Sequence, residues 1–130
     1  MTTMGGAFGL AKIGQVSVNV HDLDRAVAFY RDRLGMRFLF GTPTMAFFDC
    51  DGLRLMLALP EKPEFDHPAS IIYYRVDRIR EAHEALASRG VEFAGKPHVV
   101  APLKDADLWM VFFRDPDGNP LALMSEVPRG

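Results

Sequence analysis

The side chains able to do chemistry in this chain are four histidines, one cysteine and polar residues recurring on alternate positions of short apolar stretches. No two of His21, His67, His83 and His98 stand at a spacing that brings both imidazoles to one ion. His83 falls on an apolar helical stripe and reads as a packed core histidine, His21 precedes a helix cap and reads as solvated, and His67 lies in a proline-rich linker. Cys50 lies between Asp49 and Asp51, whose charge disfavours the thiolate a nucleophile needs. As the single cysteine it can form neither an internal disulfide nor a zinc knuckle. No Gly-x-Ser-x-Gly elbow, phosphate loop or dinucleotide fingerprint occurs. What remains suits the holding of a small molecule. Gln15, Ser17, Asn19, Arg54 and Arg75 are polar handles, and Met56, Tyr73, Trp109, Met124 and one ring each of Phe47-Phe48 and Phe112-Phe113 are an apolar wall.

These residues meet only if the chain repeats itself. Val20-His-Asp-Leu-Asp-Arg-Ala-Val-Ala-Phe-Tyr-Arg-Asp-Arg-Leu-Gly-Met-Arg-Phe38 parallels Val76-Asp-Arg-Ile-Arg-Glu-Ala-His-Glu-Ala-Leu-Ala-Ser-Arg-Gly-Val-Glu-Phe93, at an offset of 56 residues and then 55. Phe47-Phe48 and Gly52 find counterparts in Phe112-Phe113 and Gly118. Each copy reads as strand, helix and three strands. Residues 13–20 alternate apolar Val16, Val18 and Val20 with polar Gln15, Ser17 and Asn19, the period of a strand with two unlike faces. Asp22 caps a helix with Leu23, Ala26, Val27, Tyr30 and Leu34 on one stripe and Gly35 as its stop. In the second copy Asp77 is the cap, Ile79, Ala82, His83 and Leu86 the stripe, and Gly90 the stop. Strands follow at 36–40, 44–49 and 53–59, and again at 91–94, 108–114 and 121–124, with hairpin turns at Asp51-Gly52 and Asp115-Pro-Asp-Gly-Asn119. Residues 60–68, rich in proline and charge, are the linker.

A helix covers only one face of its sheet. Parity sends Gln15, Ser17, Asn19, Arg54, Met56, Ile71, Tyr73, Arg75, Ala122 and Met124 to the opposite, concave face, and leaves the two phenylalanine pairs ambiguous. Glu126 shares that parity one further pair along, which places it past the sheet. The expected fold is therefore α+β: two tandem βαβββ modules forming a curved, mostly antiparallel sheet around a concave cleft. A module of about 55 residues has a thin core, so both fold as one body.

Composition excludes several partners. The chain has 130 residues, 48% hydrophobic and 25% charged, the balance of one globular domain. Fifteen basic residues against seventeen acidic ones, without a run of like charge, leave no footprint for nucleic acid. No apolar run approaches the roughly 20 residues that span a bilayer, and the first ten residues lack the pattern of a signal peptide, so a cytoplasmic location away from membranes is expected.

Two motifs carry a resemblance. Val-x-Asp-Leu-x-Arg-Ala-x-x-Phe-Tyr-x-x-x-Leu-Gly at 20–35 and Phe-x-Asp-Pro-Asp-Gly-Asn at 113–119 are similar to those of the vicinal oxygen chelate superfamily, which includes glyoxalase I, bleomycin-resistance proteins, fosfomycin-resistance enzymes and extradiol dioxygenases. The similarity covers roughly 11–126, taken as one domain of modules at about 11–60 and 69–126 between a flexible segment at 1–10 and a tail at 127–130. In metal-dependent members the resemblance puts ligands on the first and last strand of each module, which here gives Gln15, Met56, Ile71 and Ala122. Isoleucine and alanine donate nothing, and a thioether suits copper(I) rather than a hard or borderline divalent ion. The expectation is therefore no metal and no cofactor. The resemblance implies a metal-free binding protein of the bleomycin-resistance type for an apolar or aromatic small molecule, its anion held by Arg54 and Arg75. The alternative is a lyase, isomerase or dioxygenase with a displaced metal site, or a metal-free catalyst using Tyr73 or Arg75. Exposed sheet edges and the resemblance both imply a homodimer.

Overall fold

A computed structural model describes residues 8–68 and 70–130. Its elements run β1 (Gln15–Asn19), α1 (Leu23–Val27, continued as π-helical turns at Ala28–Arg33), β2 (Arg37–Gly41), β3 (Met45–Cys50) and β4 (Leu53–Ala58). The second module has β5 (Ile72–Arg75), α2 (Ile79–Ser88), β6 (His98–Pro102), β7 (Ala106–Arg114) and β8 (Pro120–Pro128). Hydrogen bonding gives two four-stranded sheets of one plan, β1-β4-β3-β2 and β5-β8-β7-β6. In each the first strand runs parallel to the last and the other pairs are antiparallel. The α+β two-module plan holds, but the ladder breaks between modules, with β1 and β5 each ending its own sheet.

The repeat extends to detail. The register slips between Phe38 and Phe40 in β2 and between Val99 and Ala101 in β6, an irregularity at the same place in each outer strand. This identifies β6 as the second module's counterpart of β2 and corrects the strand expected at 91–94. There Phe93 makes a single bridge to Phe113, and Gly95 then turns the chain with φ +104°. Val91 is buried in the core instead. The true strand, flanked by Pro97 and ending on Pro102, carries the proline marks that only an edge strand tolerates, and its Val99 and Val100 lie exposed. Strand β8 also outruns its expected end. Glu126 pairs with Leu108 inside the sheet, and Arg129 donates to the carbonyls of Leu103, Lys104 and Ala106 and to the Asp107 carboxylate.

Helix α1 starts as expected, with the Asp22 carboxylate accepting the Arg25 N–H at 3.0 Å. Helix α2 does not use Asp77. Its N-cap is Arg78, without a side-chain capping bond, and the Asp77 carbonyl accepts from Ser125 Oγ at 3.3 Å. The two helix ends approach closely: Arg33 donates to the Gly90 carbonyl at 3.3 Å and Arg89 to the Arg33 carbonyl at 3.1 Å. Gly35 (φ +73°) and Gly90 (φ +90°) close the helices where a side chain would be strained.

The core lies on the helix side of both sheets and is continuous across them. Val18, Val20, Phe29, Tyr30, Phe48, Leu55 and Leu57 meet Ile79, Val91, Val111, Phe113, Leu121 and Leu123. The Asp115-Pro-Asp-Gly-Asn119 turn locks this junction. Buried Asp115 accepts the Tyr30 hydroxyl at 2.8 Å, the Asn119 side-chain amide at 2.9 Å and the N–H groups of Asp117 and Asn119, each at 2.9 Å. Asn119 also donates to the Asn19 carbonyl at 2.9 Å. One turn of the second module thereby holds the first strand and helix of the other.

Candidate functional site

Strand pairing settles which side chains share the uncovered face. Gln15, Ser17 and Asn19 lie beside Arg54, Met56 and Ala58, and Phe47 opposes Met56, so Phe47 belongs to this face and Phe48 to the core. In the second sheet Tyr73 and Arg75 lie beside Ala122 and Met124, with Phe112 and Met110 opposite. Phe113 is the core ring. Trp109 falls on the wrong parity for the cleft. It shares the core side with Val111 and Phe113 and lies under the guanidinium of Arg80 from α2, 4.8 Å from the ring centroid. The expectation that it lines the cleft is corrected.

The concave residues do not form one cluster. A pocket of about 410 Å³ opens on the first sheet, lined by Ser17, Asn19, Met45, Met56 and Ala58 on one side and by Pro60, Glu61, Phe65, His67 and Ser70 on the other. The linker is therefore a wall of the site. Its short 3₁₀ turn (Pro63–Phe65) is strapped across β1 by Asn19, whose side-chain amide donates to the Phe65 carbonyl and, at 2.8 Å, to that of His67. Proline and charge marked this segment as a connection, and no periodicity signalled that it would fold back. The polar face of β1 was the available clue, since an asparagine on a half-open wall seeks partners.

Gln15 and Arg54 sit one pair along the same face from Ser17 and Met56. Arg54 Nε donates to Gln15 Oε1 at 2.7 Å, and its guanidinium lies 5.3 Å from the centroid of Phe47, which stacks on Phe40. Gln15 Nε2 lies 3.7 Å from Met56 Sδ. Arg54 makes no ion pair among the described residues, so its charge is open to a ligand. Arg75 differs. Glu126, on the face because β8 continues, binds it at 3.1 Å. Of the expected site residues Ser17, Asn19 and Met56 line the pocket; Gln15 and Arg54 lie beside it on the same sheet, and Ile71, Tyr73, Arg75, Ala122 and Met124 are not part of it. Tyr73, 42% exposed, meets Phe112 edge-on at 6.0 Å on a separate, open surface.

The histidines and the cysteine behave as their surroundings dictate. His83 packs its ring 4.4 Å from that of Phe93. Burial first, then Asp49 and Asp51, push the Cys50 thiol up from its ordinary value, away from the thiolate. His21 is exposed and its basicity is raised by Asp66 first and Asp117 second.

The model of the glyoxalase/bleomycin resistance protein/dioxygenase superfamily matches residues 12–123, nearly the whole chain. The chain belongs to this superfamily. It is 24% identical over 127 residues to a catechol-2,3-dioxygenase of Bacillus subtilis strain 168, covering 90% of this chain and 42% of that protein. The chain thus spans less than half of that relative. The uncharacterized protein YraH of the same organism is 26% identical over 122 residues, with 83% of this chain and 93% of YraH covered. A superfamily member from Sphaerobacter thermophilus superposes with a TM-score of 0.75 at 26% identity, over 90% of this chain and 98% of that one. A lactoylglutathione lyase from Agrobacterium tumefaciens gives 0.73 at 21% identity, over 90% and 95%, a likeness of fold.

Superfamily membership raises the metal question, and the donor set answers it. Of the four positions to which the resemblance assigns ligands, Ile71 and Ala122 carry no donor and Met56 offers only a thioether. The single oxygen donor, Gln15 Oε1, is occupied by a guanidinium at 2.7 Å, whose positive charge opposes a divalent ion. Among the described residues no three of His, Cys, Asp or Glu converge on a common point for a metal. These residues do not fit a superfamily-type metal centre.

Proposed function

We propose that this chain is a small-molecule-binding member of the superfamily that works without a metal of the superfamily type and takes an apolar or aromatic ligand in the pocket between β1, β4 and the strap. The observation that carries this reading is the pocket's construction. Met45, Met56, Ala58, Leu59 and Phe65 present apolar surface beside the polar groups of Ser17, Asn19, Glu61, His67 and Ser70. Met56 and Met45 add adaptable, polarisable walls.

An anionic substituent is favoured at one end only. Arg54, on the face of Met56 and without an ion pair among the described residues, can bind an anion bidentately, whereas Arg75 is already paired with Glu126 and Glu61 lines the pocket itself. The preferred ligand is therefore a flat apolar body with an acid directed towards Gln15 and Arg54. The enzymatic alternative that uses Tyr73 or Arg75 loses ground because both stand on the second sheet, whereas the pocket opens on the first.

A thermal-shift screen of matched aromatic acids and amides, repeated on Arg54→Ala and Arg75→Ala, tests the reading. Acids should stabilise the wild type more than amides, and Arg54→Ala alone should remove the difference. Loss in Arg75→Ala instead, or no stabilisation by any apolar compound, refutes it. Homodimer formation is part of the proposal: Phe38, Leu39 and Phe40 on one outer strand and Val99 and Val100 on the other are exposed, as are Ile71 and Tyr73 on the open second face. No helix of the described residues is long and apolar enough to cross a membrane.

A further inference from the structure

The strap that walls the pocket is tied at a second point, and the tie is titratable. His21, between β1 and α1, places Nε2 2.8 Å from Asp66 Oδ1 on the strap. On its other side the His21 backbone N–H donates to Asp117 Oδ1 at 2.8 Å, and Nδ1 lies 3.4 Å from the same oxygen. Asp117 is held in the β7–β8 turn with its side chain almost wholly buried, so it cannot move to follow the strap. The charged groups facing the imidazole are thus Asp66 from the strap and Asp117 from the turn. Arg25 of α1 reaches the same Asp117 oxygen at 3.8 Å, while Asp22 is turned to the Arg25 N–H and His67 shares the small pocket beside the ring.

We infer that His21 is a pH-sensitive clasp that holds the strap over the pocket, closed when the imidazole is charged and loosened when it is neutral. The inference rests on the proposed pocket as the ligand site. Its geometry is that of a cation between a buried carboxylate and an exposed one: Asp117 anchors the imidazolium, and the imidazolium anchors Asp66. Asn19 supplies the part of the tie that does not titrate.

The direction follows from the partners. Asp66 and then Asp117 favour the protonated ring, so its affinity for a proton is higher with the strap closed than with the strap free. Closing is therefore favoured fully below the ordinary histidine value, about 6.5, and the advantage is lost as pH rises through the raised value of the closed form. Both groups are about half exposed or more, so the effect is modest, a two- to fivefold change in the closing equilibrium. Ligand entry and release would then be easier on the alkaline side.

The test needs no ligand, so its failure is distinct from failure of the binding proposal. The N–H groups of Phe65 and Asp66 bond to the carbonyls of Lys62 and Pro63 within the strap turn. Their hydrogen exchange is measured by NMR between about pH 6 and 8.5 and corrected for intrinsic rates, with core amides of β8 as control. Protection of these two amides should fall two- to fivefold across the range in the wild type and stay flat in His21→Gln and in Asp66→Asn. The His21 imidazole should titrate at lower pH in Asp66→Asn. Wild-type protection that is absent or pH-independent, or a pH dependence retained in His21→Gln, overturns the clasp.

Discussion

Replacing Tyr30 by phenylalanine removes one hydrogen bond and almost nothing else. The ring is fully buried, its hydroxyl donates to Asp115 at 2.8 Å, and the acceptor is itself only 5% exposed. A bond of this kind to a charged acceptor contributes about 1.5–3 kcal/mol, and the phenyl ring fills the same volume, so no cavity adds to the cost. With about 2.1 cal/mol/K of unfolding entropy per residue, 130 residues give roughly 0.27 kcal/mol/K. Tyr30→Phe should therefore lower the melting temperature by about 5–11 °C in differential scanning calorimetry. Asp115→Ala, which strands four donors at once, should cost more, about 3–5 kcal/mol. In that background the tyrosine substitution should cost almost nothing, because the bond is already gone. A drop below about 2 °C for Tyr30→Phe, or full additivity in the double variant, would refute the view that this turn locks the two modules together.

The other tyrosine hydroxyl of the core should behave oppositely. Tyr74 Oη is buried without a partner among the described residues, so Tyr74→Phe should leave stability unchanged or raise it by up to about 1 kcal/mol in urea unfolding, and a loss of more than about 1 kcal/mol would contradict this. Burial pushes both Tyr30 and Tyr74 above the ordinary phenol value, so the folded state keeps its protons where the unfolded chain gives them up. This contribution is intact below about pH 10 and lost as pH rises beyond it. In a Tyr73→Phe background, which removes the exposed phenol, alkaline unfolding followed by circular dichroism and by phenolate absorbance should therefore coincide, and early ionisation of either ring in the folded protein would contradict the burial argument. Gln15→Ala should move the melting temperature by less than about 2 °C, and added zinc, nickel or manganese should not raise it in the wild type. A metal-dependent rise that the variant abolishes would restore a metal role to Gln15. Sedimentation at micromolar concentration should show a dimer, and a lone 14.5 kDa species would count against it.

Much of the fold was legible because the first helix writes its own signals. Asp22, the stripe to Leu34 and Gly35 mark α1 without ambiguity, and the valines of β1 fix its buried face. The offset between the two copies then placed the second module. The outer strand β6 was not legible, since Pro97 and Pro102 bracket an exposed strand whose residues show no inward and outward alternation. Trp109 was misplaced for a related reason: β7 is apolar on both faces, so only its pairing with Ser125 of β8 reveals its side. At the site, parity found Ser17, Asn19 and Met56 but missed the strap, whose place over β1 depends on backbone carbonyls that no residue type announces. The neutralisation of Arg75 was missed because the length of β8 decides whether Glu126 reaches it.

The claim that a small molecule binds between β1, β4 and the strap is tested most directly by methyl NMR of the methionines. Met45 and Met56 line the pocket, while Met110 and Met124 lie on the equivalent face of the second sheet. A compound that raises the melting temperature should shift the Met45 and Met56 methyl signals, leave those of Met110 and Met124 in place, and lose its effect in Met56→Lys. Shifts confined to Met110 and Met124, or stabilisation that survives Met56→Lys unchanged, would contradict it.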